Sequence, residues 1–165
     1  MILAKDFTDF VELLNKHEVE YMVVGGYALG FHGEPRTTGD MDIWIECTQG
    51  NAAKIVAVVN DFGMSLLGLQ VQDFLEPGIV TQIGYPPLRI DILNEIDGVK
   101  YKEAIKDKQY FKEGKFTIPF IGRNDFIRNK EAAGRKKDLK DVKKIKPKLI
   151  EKKERVKERR SRKKK

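Results

Sequence analysis

The run Asp40-Met41-Asp42-Ile43-Trp44-Ile45-Glu46 alternates polar and apolar side chains without a break. A period of two marks a β-strand with one face in the core. The run therefore predicts a half-buried strand, with Met41, Ile43 and Ile45 on one side and Asp40, Asp42, Trp44 and Glu46 on the other. Such a strand needs partner strands and a covering layer on its apolar face, so the chain must build a sheet domain.

The flanking segments supply those parts. Phe7, Phe10, Val11 and Leu14 fall on one stripe at helical spacing. Glu20 to Val24 is a short β-prone run that stops at Gly25-Gly26, and Tyr27 to Phe31 reads as a small helix opening at that pair. Residues 32–39 carry the Gly, Pro and Thr of a loop. Asn51 to Phe62 reads as a helix with Ile55, Val56, Val58 and Val59 inward and Gly63 as its stop. Gly78 to Gly84, Leu88 to Leu93 and Phe116 to Ile121 are further strand candidates, and Arg123 to Ile145 predicts two helices broken near Gly134. The expected fold class is α/β (α+β), with one mixed sheet and helices packed on one side. The expected organisation is one domain over residues 1–145, followed by a basic tail over 146–165.

Composition narrows the function classes. The chain has 165 residues, 41% of them hydrophobic, and no run approaches the length of a membrane helix. No basic-then-apolar leader stands at the N-terminus. The single Cys47 excludes an internal disulfide, and with His17 and His32 it is too little for a closed zinc site. These features point to a cytoplasmic protein without membrane association.

Charge is divided unevenly. Residues 135–165 carry 18 basic and 5 acidic side chains, a net of +13, while residues 1–134 carry 14 and 20, a net of −6. A basic arm on an acidic globule reads either as a nucleic-acid-attracting tail or as a solvated, frayed end.

The chemistry-bearing pattern is a set of strand carboxylates. Asp40 and Asp42 are two apart and point the same way, and Asp91 projects opposite to Ile90 and Ile92. If the two strands are neighbours, three carboxylates converge and repel one another unless a cation neutralises them. Mg²⁺ takes such oxygens together with substrate phosphates, as two-metal phosphoryl or nucleotidyl transfer requires. Gly25-Gly26, between a strand and a helix, offers backbone N–H groups to a phosphate. For an isolated Asp-x-Asp, facing solvent is the simpler reading, and the glycine pair is what turns the balance. Trp44 shares the aspartate face, where it either fills the sheet surface or borders a base or acceptor.

Val24-Gly25-Gly26, a spacer of thirteen residues and Asp40-Met41-Asp42-Ile43 resemble the signature of the polymerase-beta-like nucleotidyltransferase superfamily. The wider string, with His32-Gly33, Pro35-Arg36 and Thr38, looks like a bacterial and archaeal branch that includes toxin-type nucleotidyltransferases of abortive-infection systems. Asp125 to Lys130 and Gly134 to Leu139 resemble that branch's C-terminal helical signature. The resemblance implies that Asp40, Asp42 and Asp91 hold Mg²⁺, with Mn²⁺ as the other fitting ion, and that Asp91 serves the acceptor hydroxyl as ligand or base. It implies that Gly25 and Gly26 cradle the triphosphate of ATP or another NTP, and that Lys130 reaches the phosphates with Asp138 near the same cleft. Arg36 and Thr38 join the nucleotide-binding set, Arg36 alternatively pairing with Glu34 or Asp40. His32 reads as a packing or hydrogen-bonding residue, and Arg135 with Asp138 and Asp141 as ion pairs within a helix.

The implied reaction moves a nucleoside monophosphate from an NTP to a hydroxyl acceptor. The basic tail favours RNA, tRNA included, as that acceptor, and a toxin role would bring a cognate antitoxin as partner. The competing readings are a small-molecule-modifying enzyme and a non-catalytic nucleic-acid or protein-binding module that keeps the fold.

Overall fold

The computed structural model describes residues 3–146. A single mixed sheet of six strands runs through it in the order β3-β4-β2-β1-β6-β5. The strands are β1 (Tyr21–Val23), β2 (Asp40–Ile45), β3 (Val80–Ile83), β4 (Arg89–Leu93), β5 (Gln109–Glu113) and β6 (Phe116–Phe120). The helices are α1 (Lys5–Lys16), α2 (Gly25–Phe31), α3 (Gln49–Val59), α4 (Tyr101–Ala104), α5 (Arg123–Ala133) and α6 (residues 136–146).

The alternating run forms β2, and Met41, Ile43 and Ile45 are fully buried. They share one core with Phe7, Phe10, Val11 and Leu14 of α1 and with Ile55 and Val58 of α3. Burying an aliphatic or aromatic side chain of this size stabilises the fold by roughly 1.5–3 kcal/mol before entropy is counted. Asn51 ties α3 to the sheet ends: it accepts from Glu20 N at 2.8 Å and donates to the carbonyls of Glu20 and Glu46, each at 2.9 Å.

Several boundaries differ from the sequence reading for local reasons. Helix α3 begins at Gln49 because the Thr48 side chain accepts from Asn51 N and caps it. It ends at Val59 in a π-helical turn, and Gly63, at φ 91°, lies inside that turn. Gly134, at φ 64°, separates α5 from α6 where the two-helix reading expected the break. Strand β5 and the four-residue α4 were not expected from the sequence. The expected tail lies outside the described residues beyond position 146.

Two pairings position the site. Strand β2 lies between β1 (antiparallel) and β4 (parallel), with Asp40 opposite Arg89 and Asp42 opposite Asp91. The face that carries the aspartates is covered further along by Trp44, 1% exposed, which packs edge-on against Tyr101 of α4 at 5.0 Å between ring centroids. Trp44 thus fills the sheet surface. Among the described residues no helix is long and apolar enough to cross a membrane.

Candidate active site

The pleat of β2 points Asp40 and Asp42 to one face, and the parallel pairing brings Asp91 of β4 level with Asp42. The three side chains present carboxylate oxygens within 4.8 Å of one another. Asp42 is pushed up to about 6, by burial first and then by the charges of Asp40 and Asp91, with Lys130 and Lys137 opposing. A carboxylate that is costly to ionise, because it is buried and beside two like charges, gains by taking up a cation. The donor set is hard oxygen throughout, which fits Mg²⁺ or Mn²⁺.

The glycine pair is demanded by what it presses against, Asp42 at Gly25 and Thr38 at Gly26. Gly25 adopts φ 62°, and a Cβ there would sit 1.8 Å from Asp42 Oδ2. A Cβ on Gly26 would lie 2.8 Å from Thr38 Oγ1. Only a chain without side chains at these positions can press the start of α2 against the aspartate strand. Thr38 in turn donates its hydroxyl to Asp40 Oδ1 at 2.6 Å.

A cleft opens over this surface in two lobes. The larger, of about 430 Å³, is lined by Val24, Leu93, Ile96, Asp97 and Asn129, among others. The smaller, of about 150 Å³, is lined by Gly26, Arg36, Thr38, Asp40, Lys137 and Asp138. Gly25, Asp42, Lys130 and Arg135 border both. The smaller lobe brings basic side chains up to three carboxylates, Asp40, Asp42 and Asp138, and a glycine turn, which suits a polyphosphate that arrives with its own cation.

Helices α5 and α6, with the junction between them, supply most of those basic groups. Lys130, 5% exposed, donates to Asp138 Oδ1 at 2.6 Å, and Arg135 Nε donates to Asp138 Oδ2 at 2.5 Å. Burial alone would raise the Asp138 carboxyl, but the hydrogen bonds from Arg135 and Lys130 bring it below its usual range. The ion pair expected within one helix is therefore a clamp that also holds α5. Arg36, read from sequence as a phosphate contact or a partner of Glu34 or Asp40, lies beside Asp141 of α6, with Nε 3.4 Å from Oδ1. It lines the smaller lobe while anchoring α6. His32 is buried, its Nε2 is 2.9 Å from the Ile121 carbonyl, and burial lowers its pKa. It serves packing, as the sequence suggested.

Sequence reasoning missed Arg89. Its Nε donates to Asp91 Oδ1 at 2.7 Å, and its Nη2 donates to Asp91 Oδ2 at 2.8 Å and to Asp40 Oδ2 at 2.9 Å. The signal was present, since Arg89 stands two residues before Asp91 and shares its face. Its partner Asp40, on another strand, could not be read from that spacing. Gln82 of β3 adds a donor to Asp91 Oδ2 at 3.3 Å.

The sheet and its carboxylate cluster are those expected of the nucleotidyltransferase class that the sequence resembles. A family model described as "nucleotidyl transferase of unknown function" matches residues 4–165, and the chain belongs to that family. A comparison with curated proteins gives no match.

Proposed function

We propose that the protein is a divalent-metal-dependent nucleotidyltransferase that transfers a nucleoside monophosphate from an NTP to a hydroxyl, with RNA, tRNA included, as the favoured acceptor. The observation that carries this reading is the cluster of Asp40, Asp42 and Asp91, with oxygens within 4.8 Å, beside a cleft whose smaller lobe is lined by Lys137, Arg135 and Lys130.

Divalent ions held by the three aspartates would neutralise phosphate charge and favour ionisation of the attacking hydroxyl. The chain's own groups do the rest by positioning and charge. Lys130, Arg135 and Lys137 attract the triphosphate into the smaller lobe, where the Gly25-Gly26 turn leaves room for it. The acceptor oxygen forms a bond to the α-phosphorus as the bond to the β-phosphate oxygen breaks, and pyrophosphate leaves. Asp91, on the neighbouring strand, accepts the hydroxyl proton. The net charge of +13 over residues 135–165 supports a polyanionic acceptor. The toxin-type reading rests on the resemblance of the motif string and predicts growth arrest on expression, relieved by a cognate antitoxin.

The test is incubation with an α-labelled NTP, Mg²⁺ and total RNA. Label is expected on RNA, and Asp42→Asn is expected to reduce transfer ~10²–10³-fold, as for loss of a group acting on transition-state charge. Label on a small molecule alone would redirect the acceptor. Full activity in Asp42→Asn would contradict the site.

A further inference from the structure

Arg89 and Asp91 are two apart on β4 and share a face, while across the parallel ladder Arg89 meets Asp40 and Asp91 meets Asp42. The result is a block of three acidic side chains and one basic one. The guanidinium forks onto both oxygens of Asp91, at 2.7 and 2.8 Å, and its Nη2 also reaches Asp40 Oδ2 at 2.9 Å. A planar fork matched to carboxylates in this way is a strong, directional contact. Thr38 occupies Asp40 Oδ1 and Gln82 a further position on Asp91 Oδ2. Among the described residues none donates a hydrogen bond to the Asp42 side chain. Three of the four carboxylate oxygens of Asp40 and Asp91 thus accept from the chain's own cation, and Thr38 holds the fourth. Arg89 keeps 26% of its side chain exposed, so water is at hand to receive it when it swings away.

We infer that Arg89 is a built-in competitor of the divalent ion. It holds Asp40 and Asp91 together in the metal-free protein and releases them as the ion loads, so it sets the ion concentration at which the site fills. This role rests on the proposed metal-dependent reading of the same carboxylates. Arg89 is a positioning residue here, acting through Asp40 and Asp91.

The inference is tested with the full chain, without nucleotide, by titrating Mn²⁺ and reading free ion by electron paramagnetic resonance. Removing one unit charge held at contact distance from the ligands should tighten binding about tenfold in Arg89→Gln. Arg89→Lys, which keeps the charge but loses the fork, should stay within a few-fold of the parent. Equal or weaker Mn²⁺ binding by Arg89→Gln would overturn the inference while leaving the metal site standing. No binding by any form at millimolar Mn²⁺ would overturn both. A second reading needs no variant: the ¹⁵Nε–¹H signal of Arg89 in the parent protein should shift on saturation with Mg²⁺. An unmoved signal at saturation would also overturn the competitor role.

Discussion

Among single residues, the site turns on the Asp42 carboxyl, whose pKa burial, and after it the charges of Asp40 and Asp91, pushes up to about 6. Well below pH 3.8 Asp42 carries its proton whether the chain is folded or not. Between the ordinary value of 3.8 and about 6 the unfolded chain ionises first, so metal-free stability falls as pH rises through that window and levels off above it. Asp42→Asn should remove this loss. In the presence of a chelator its Tm should exceed the parent's by up to roughly 6–12 °C at pH 7 and converge with it below pH 4. A difference that does not change with pH would contradict the electrostatic origin. Mg²⁺ should narrow the gap at pH 7 by stabilising the parent alone. The same scale shows what a sequence can and cannot carry. Gly25-Gly26 was legible as a turn that frees backbone N–H groups. That Gly25 is needed because Asp42 Oδ2 presses where a Cβ would sit is a contact across separate segments, which spacing does not encode.

At the scale of elements, the strict alternation of β2 and the apolar stripe of α1 were legible because burial imposes their periods directly. Strand β5 was not legible: Gln109-Tyr110-Phe111-Lys112-Glu113 lies at the sheet's edge and pairs with β6 alone. It lacks the β-branched residues that mark a strand. Helix α4 spans four residues, too few for a helical period to show. The neighbour relation of β2 and β4, on which the carboxylate cluster depends, could be entertained from sequence only as a condition. Helix α6 is pinned by charges buried against α5 and the loop before β2, through Asp138 with Lys130 and Asp141 with Arg36. Asp138→Ala would leave the buried Lys130 ammonium without its closest carboxylate, and should cost about 3 kcal/mol in urea unfolding. Adding Lys130→Met to that variant should recover much of the loss, because the unpaired charge goes with it. If Asp138→Ala is neutral, or the double variant is weaker still, the clamp is not what holds α6 in place.

At the scale of the whole molecule, charge separates along the chain, with a net of −6 over residues 1–134 and +13 over 135–165. The basic part begins inside the cleft, at Arg135 and Lys137, and continues past the described residues. If it guides a nucleic acid, truncation after residue 146 should weaken RNA binding and flatten the dependence of log affinity on log salt. Unchanged affinity and slope would assign the tail to solubility. The central claim, that these carboxylates drive nucleotidyl transfer, is tested most directly by supplying one NTP labelled either at its α- or at its γ-phosphate, with Mg²⁺ and total RNA. The α-label should become covalently attached to the acceptor while the γ-label appears only in released pyrophosphate. Transfer of γ-label to the acceptor, or cleavage of the NTP with no label transferred from either position, would contradict the claim.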